Sequence, residues 1–131
     1  MKEMKSFLQF KKYIIEKIEF DYNLNFSEDE TKLDFSIDKE FITLDEDAFV
    51  LRLIMEVFPP KEGKEYPFNL KVVMAGFFKC KEQIDIEKYL PNAAAIMYPY
   101  MRSIVTSITS NANVAPLILP TINTQKLFID E

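Results

Sequence analysis

Hydrophobic and polar residues alternate along the first two-thirds of the chain, which is the pattern of half-buried β-strands. A first strand is predicted over residues 11–22. Glu16 interrupts the hydrophobic stripe of this strand, which predicts either an edge position or a β-bulge. The stripe consists of Ile14, Ile18, Phe20 and Tyr22.

Three more strands are predicted after the first. Leu33, Phe35 and Ile37 alternate with polar residues, and further alternating runs cover residues 49–57 and 66–80. A turn that contains prolines and a glycine separates the last two runs. Four successive strands joined by short turns predict an antiparallel meander.

The last third of the chain has helical spacing. Asn92 is expected to cap the first turn of a long helix, and Pro99 inside this helix is expected to kink it. After two further prolines, Asn123 is expected to cap a short final helix that carries Leu127 and Phe128. The hydrophobic stripe of the long helix consists of Met97, Met101, Ile104, Val105 and Ile108. Together the elements predict a single α+β domain over residues 1–131.

Charge is distributed unevenly along the chain. Residues 21–47 contain ten carboxylates and two lysines, whereas residues 89–125 contain one charged residue, Arg102. An exposed helix normally has a charged face, and the long helix has none. We therefore expect the sheet to cover one side of this helix and another subunit of a homo-oligomer to cover the other. The stripe residues named above are assigned to this interface helix.

The composition excludes most enzyme classes. The 131 residues include no histidine, two glycines and one cysteine, Cys80. A histidine-based triad, a glycine-rich phosphate loop and a multi-cysteine zinc site are therefore ruled out, and we expect no enzyme, no cofactor and no metal. A net charge of −5 without a basic cluster argues against nucleic acid. Without a signal peptide or a long apolar run, the chain is expected to be cytoplasmic and not to insert into membranes.

Aromatic residues are the unusual part of the composition. The chain contains 12 phenylalanines and 6 tyrosines but no tryptophan, and some of this apolar surface is expected to be exposed. Aromatic and methionine side chains beside a free sheet edge would bind unfolded polypeptides with little sequence preference. The alternative is that all of these side chains belong to the core or to an oligomer interface.

Several segments resemble the SecB family of bacterial export chaperones. Residues 90–102 are similar to the Pro-Asn and Pro-Tyr-x-Arg signature of the long SecB helix. Residues 116–120, followed by Leu127 and Phe128, resemble its proline-flanked segment and last helix, and residues 30–35 and 68–78 resemble its second and fourth strands. The likeness runs in order along nearly the whole chain.

The resemblance implies a fold and a function. The implied fold is a four-stranded antiparallel sheet with a long kinked helix and a short C-terminal helix on one face, assembled as a dimer of dimers. SecB proteins hold unfolded preproteins for export in grooves lined by apolar side chains. The groove positions implied here are Leu33, Phe35, Leu127 and Phe128, each of which could also be a core residue.

The chain also departs from the SecB pattern. The positions that dock the SecA motor in the family correspond to Lys17, Asp21, Asn69 and Lys71, so two carboxylates of the family are lysines here. Reversing charge at an interface adds repulsion, and the motor contact is expected to be altered or lost. We also expect the basic, zinc-binding C-terminal tail of the family to be missing after the last helix. Two alternatives stay open: a dedicated chaperone for the antitoxin of a toxin–antitoxin pair, and a non-chaperone oligomeric protein that binds a ligand.

Overall fold

A computed structural model describes residues 8–27, 31–80 and 86–129. Most of the N-terminal segment, where no signal peptide is expected, lies outside these ranges. The acidic residues 28–30 also lie outside them. The α+β prediction is confirmed, with four strands followed by helices. The elements are β1 (Leu8–Tyr22), β2 (Phe35–Asp45), β3 (Ala48–Val57), β4 (Phe68–Cys80), a first 3₁₀ helix (Ile86–Tyr89), α1 (Leu90–Asn111) and a C-terminal 3₁₀ helix (Thr124–Phe128).

The four strands form one antiparallel sheet with the order β1-β4-β3-β2. The meander prediction is correct for β2, β3 and β4 but wrong for β1, which pairs with β4 at the far edge. The connection between β1 and β2 spans residues 23–34, and this length easily crosses the roughly 14 Å of three strand spacings. Pairing with β4 gives β1 a partner along its whole length.

The first strand contains the irregularity that Glu16 predicts. The β1–β4 register shifts between Ile15 and Lys17 and again between Phe10 and Lys12, and β1 is also an edge strand. Each shift moves the following side chains to the other face of the sheet. Ile14 therefore lies opposite Ala75 on one face, whereas Ile18 lies opposite Val72 on the other. The predicted single stripe is split by the bulge at Glu16.

The core lies between α1 and one face of the sheet, which we call the helix face; the opposite face is the outer face. Gly76 of β4 allows the helix to approach closely, because a Cβ at this position would lie 2.5 Å from the sulfur of Met97. The largest fully buried side chains of the sheet are Phe49, Leu51, Leu53, Met55, Leu70, Met74 and Phe78. Burial of such side chains is the main stabilising contribution to a domain of this size.

Helix α1 begins two residues earlier than its predicted cap. Tyr89 is the N-cap residue, and Asn92 lies inside the first turn, so the Asn92 prediction is wrong. Pro91 favours this earlier start because the first turn tolerates a residue without an N–H. The helix continues through Pro99. The predicted cap of the last helix is confirmed, since the Gln125 N–H donates to Asn123 Oδ1 at 3.1 Å, although the helix is of the 3₁₀ type.

Candidate peptide-binding surface

An apolar strip runs along the helix face of the edge strand β2. Phe35 is the first residue of this strand and lies opposite the buried Val57. Ile37 lies opposite Met55, and Phe41 lies opposite Leu51, so all three side chains share the helix face. Phe35 and Ile37 are partly buried against the core, whereas Phe41 is 38% exposed. We call Phe35, Ile37 and Phe41 the β2 strip.

The C-terminal 3₁₀ helix borders this strip. Leu127 and Phe128 are half-buried and pack against the core, and their helix contacts both α1 and β2. The ammonium group of Lys39 lies 5.9 Å from the centre of the Phe128 ring, within the range of a cation–π contact. Three of the predicted groove residues, Phe35, Leu127 and Phe128, are therefore brought to the same side of the sheet.

Phe41 is a residue of this surface that the predicted second strand does not include. The predicted hydrophobic alternation ends at Ile37, but the strand continues to Asp45. Extending the period of two past Lys39 places Phe41 on the same face as Phe35. A lysine inside the pattern concealed this continuation. The signal was present in the sequence.

Leu33, the fourth predicted groove residue, lies just before β2. Its side chain is 37% exposed and lines a cavity of about 510 Å³ between the end of the β1–β2 connection and the β3–β4 connection. The cavity is lined by Thr31, Lys32, Leu33, Asp34, Gly63, Lys64, Glu65 and Tyr66. Leu33 is thus a surface residue just before β2. It lines one side of a cavity whose other lining residues are mostly polar.

Hydrogen bonds join the two connections beside this cavity. Lys61 Nζ donates to Asp34 Oδ2 at 2.8 Å, and the Tyr66 hydroxyl donates to the same oxygen at 2.5 Å. The Phe58 N–H donates to the Asp34 carbonyl at 2.7 Å. The bonds from Lys61 and Tyr66 hold the pKa of Asp34 below its usual range, and the same bonds raise the pKa of Lys61 and of Tyr66.

An aromatic cluster packs beneath these connections. The ring of Phe58 stacks on Tyr66 at 4.9 Å and meets the edge of Phe68 at 5.1 Å, and Phe68 in turn stacks on Phe20. Phe58 has a φ of 54°, a left-handed conformation that is rare for a bulky residue. Its carbonyl accepts a hydrogen bond from the Asn69 side chain at 3.0 Å. Ring contacts and hydrogen bonds together hold the chain in this strained turn.

The outer face of the sheet carries the four positions that correspond to motor-docking residues. Asp21 lies opposite Asn69, and Lys71 lies opposite Glu19, so both pairs are adjacent across β1 and β4. Lys17 forms an ion pair with Glu19 at 3.0 Å. The four positions therefore share one face of the sheet. Their role in binding SecA stays a prediction.

Arg52 connects strands across the outer face. Its guanidinium donates to both carboxylate oxygens of Glu16 on β1 and to Glu40 on β2. Because Arg52 is on β3, its side chain reaches Glu16 by crossing β4 above the small side chain of Ala75. The bulge brings Glu16 onto this face. Hydrogen bonds to the two carboxylates raise the pKa of Arg52, and the bond to Arg52 lowers the pKa of Glu16.

The stripe assigned to the oligomer interface lies mainly inside the protomer. Met97, Met101 and Val105 are fully buried within their own chain, so these three side chains are core residues and not surface. They belong to the core cluster together with the sheet residues, and Gly76 allows the close approach at Met97. Ile104 and Ile108 are only partly buried. Any subunit contact of α1 must therefore use its other face.

Arg102, the only charged residue among residues 89–125, holds the segment that follows α1. Its Nε donates to the Leu119 carbonyl at 2.9 Å, and the Tyr98 hydroxyl donates to the Pro120 carbonyl at 2.6 Å. One turn further along, Thr106 donates to the Leu117 carbonyl. This spacing of four residues along α1 fixes the path of the chain toward the C-terminal 3₁₀ helix.

The described residues offer little reactive chemistry. Cys80 is buried, and this burial raises the pKa of its thiol, which disfavours the thiolate. Within residues 8–27, 31–80 and 86–129, no three His, Cys, Asp or Glu side chains are grouped so that they could hold a metal ion. None of the helices in the described part of the chain combines the length and hydrophobicity needed to cross a membrane.

Comparison with known proteins identifies the family. The family model described as preprotein translocase subunit SecB matches residues 8–131, and the chain therefore belongs to the SecB family. An uncharacterized protein of Methanocaldococcus jannaschii is 34% identical over 122 residues, covering 88% of this chain and 79% of that protein.

Solved structures confirm the SecB-like fold. A SecB-like chaperone of Mycobacterium tuberculosis, solved in complex with a ChAD peptide from the HigA1 antitoxin, superposes with a TM-score of 0.73 at 16% identity. The match covers 88% of this chain and 90% of that one. A protein of unknown function from Streptococcus agalactiae matches with a TM-score of 0.52 at 13% identity, over 87% of this chain and 97% of that one.

Proposed function

We propose that this protein is a holding chaperone that binds apolar segments of unfolded polypeptides along the β2 strip. The observation that carries the proposal is the partly uncovered strip itself. Phe35 and Ile37 pack on the core, Phe41 continues the strip with 38% of its surface exposed, and Leu127 and Phe128 lie beside it. Membership of the SecB family supports the same function.

The binding energy comes from two physically different contributions. Covering the exposed parts of the strip removes apolar surface from water, which contributes roughly 25 cal/mol for each Å² buried. The edge of β2 can also form main-chain hydrogen bonds with any extended chain, whatever its sequence. Both contributions tolerate many clients, and neither requires a nucleotide, metal or other cofactor. The mechanism is capture without catalysis, in the cytoplasm.

A refolding trap tests this function. A slowly refolding protein is diluted from denaturant into buffer with and without this chain, and recovery of its native signal is followed. We expect the wild-type protein to delay refolding and to co-elute with the client. Phe41→Asp should weaken client binding roughly tenfold, because a carboxylate replaces a partly exposed aromatic ring in the strip.

Ile42→Asp is the matched control. Ile42 is the next residue of β2 and has 48% exposure, but it lies opposite Val50 on the outer face. This variant should retain client binding. Refolding that proceeds unaltered with the wild-type protein would overturn the holding function. Equal losses in the two variants would overturn the β2 strip as the binding surface.

We also propose that the chain works as a homotetramer. Support comes from the other edge of the sheet, where Ile18 and Tyr22 of β1 expose 50% and 56% of their surfaces. The outward side of α1, which includes Ser103 and Ser107, is exposed and uncharged. Light scattering at micromolar concentration should give four times the mass of one chain. A stable monomer would contradict this assembly.

A dedicated antitoxin chaperone is the second candidate. It is favoured by the complex of the structural neighbour with an antitoxin peptide and by the lysines at positions 17 and 71, which disfavour a SecA contact of the family type. Titration of the protein with SecA and with an antitoxin encoded beside its gene separates the two roles. Binding to SecA supports preprotein export, whereas tight binding to the neighbouring antitoxin alone supports the dedicated role.

A further inference from the structure

The β1–β2 connection is fastened to the β3–β4 connection at both of its ends. At the start, Asn23 Nδ2 donates to the Tyr66 carbonyl at 3.0 Å, and the Asn23 N–H donates to the Pro67 carbonyl at 2.9 Å. At the other end, Asp34 accepts hydrogen bonds from Lys61 and Tyr66. Tyr66 takes part in both attachments, through its carbonyl and through its hydroxyl.

The Asp34 attachment lies directly before Phe35, the first residue of the β2 strip. Leu33 precedes Asp34 and Phe35 follows it, so any movement of the Asp34 backbone moves both of them. Phe35 is held by its pairing with Val57 and by the core. Leu33 lies before the first residue of β2, outside the β2–β3 ladder. Because Leu33 is the neighbour of Asp34 in the chain, the contacts of Asp34 restrain the backbone from which the Leu33 side chain extends.

Asp34 is restrained through two of its groups. Its carbonyl accepts from the Phe58 N–H and its carboxylate accepts from Lys61 and Tyr66, so both groups tie Asp34 to the connection that follows β3. The donors are themselves well placed, because Tyr66 stacks on Phe58 and the Phe58 carbonyl is held by Asn69. A charged acceptor with two donors forms stronger hydrogen bonds than a neutral one.

We propose that the Asp34–Lys61–Tyr66 contact is a latch that positions Leu33 at the entry to the β2 strip for peptide binding. Asp34 is a positioning residue in this arrangement, and the inference rests on the proposed function. With the latch closed, Leu33 is kept beside the strip and extends it beyond Phe35. With the latch open, Leu33 becomes mobile, and a bound segment must order it. The latch thus reduces the entropic cost of capture.

A double-mutant cycle tests this latch, with reduced and carboxymethylated α-lactalbumin as the probe, which cannot refold. The variants are Tyr66→Phe, Leu33→Ala and their combination. Tyr66→Phe removes one hydroxyl and retains the ring that stacks on Phe58. We expect it to weaken probe binding roughly threefold in the wild-type background and not at all in the Leu33→Ala background. The change in melting temperature should be the same in both backgrounds.

Further variants make the result decisive. Lys61→Met removes the other donor at a half-exposed position and should reproduce the behaviour of Tyr66→Phe. Glu62→Gln removes a charge from the same connection without touching Asp34 and should bind the probe as the wild type does. Unaltered binding by both latch variants, or equal weakening in the two backgrounds, would overturn the latch. A wild-type protein that does not bind the probe would instead overturn the proposed function and this inference with it.

Discussion

The two edges of the sheet differ in regularity. At one edge, β1 contains two bulges within its 15 residues, and its helix face is joined to α1 through a contact of 5.1 Å between the rings of Tyr13 and Tyr100. At the other edge, β2 pairs with β3 without a shift from Phe35 to Thr43. Both edges expose apolar side chains, yet β1 is interrupted along its length, whereas the one shift of β2 lies beside its hairpin turn, between Thr43 and Asp45.

The difference in backbone regularity means that the two edges suit different kinds of binding partner. A bulged edge resists the addition of an arbitrary strand, because the partner must match its kinks. A second copy of the same strand provides that match, so β1 is suited to one fixed partner. A regular edge beside an apolar strip accepts many extended segments. The proposed account therefore assigns assembly to β1 and client capture to β2.

Introducing a charge at each edge should have the largest effect and tests whether β1 mediates assembly and β2 mediates client capture. Ile18→Asp places a carboxylate on exposed apolar surface of β1. Because a symmetric interface would contain the residue twice, we expect assembly to weaken roughly a hundredfold, as measured by light scattering across a dilution series. Phe41→Asp should leave assembly unaltered. Dissociation by Phe41→Asp, or full assembly of Ile18→Asp, would contradict the separation of the two edges.

Gly76→Ala should have the next largest effect, because the added methyl group would clash with side chains at the contact between β4 and α1. The new methyl group would lie 2.5 Å from the Met97 sulfur and 2.9 Å from the Phe78 ring. We expect the free energy of unfolding in urea to fall by roughly 1–3 kcal/mol. Combining it with Met97→Ala should cost less than the sum of the two single changes, since the second removes the clash. Strict additivity would show that the close approach is unimportant.

Acid should remove the contribution that the ionised Asp34 carboxylate makes to the stability of the folded protein near the β2 edge. The titratable groups that act on this carboxyl are Lys61, Tyr66 and Lys64, and its pKa lies below the usual range. A group with a lowered pKa stabilises the folded state above its unfolded pKa and loses this effect as pH falls through the folded value. We therefore expect wild type to melt above Asp34→Asn at pH 7, with the difference shrinking as pH falls below the unfolded value of about 3.9 and vanishing only below the lowered folded pKa. A difference that is constant with pH would contradict the ionised latch.

Replacing Arg52 should have the smallest effect. The guanidinium joins Glu16 of β1 to Glu40 of β2 across the outer face, where all three side chains are partly exposed. Exposed ion pairs contribute little, so Arg52→Met should lower the free energy of unfolding by about 1 kcal/mol or less, and by less still in high salt. A loss that is large and independent of salt would mean that Arg52 acts through packing.

The sequence was most informative where a pattern is local. Hydrophobic patterning predicts all four strands, and the interruption at Glu16 predicts either an edge position or a bulge, both of which β1 has. The residue type and position of Asn123 predict a cap, and its side-chain oxygen indeed accepts from an amide two residues away. Such features depend on neighbouring residues alone, and neighbouring residues are visible in a sequence.

The errors arose where distant segments decide the structure. The pairing of β1 with β4 depends on a connection long enough to cross the sheet, which alternation does not record. Met97, Met101 and Val105 fit an interface or a core equally well by their spacing, and the packing of α1 on the distant sheet makes them core residues. The latch between Asp34 and Tyr66 joins residues 32 positions apart that carry no shared motif.

Hydrogen–deuterium exchange tests the central claim most directly, because it reports on the amides of both edges at once. The assembled protein is labelled with and without reduced, carboxymethylated α-lactalbumin, and peptides from Leu8–Tyr22 and Phe35–Asp45 are compared. The account predicts that the client slows exchange in β2 and leaves β1 unaltered. Protection confined to β1, or equal protection at both edges, would contradict the assignment of client capture to the β2 edge.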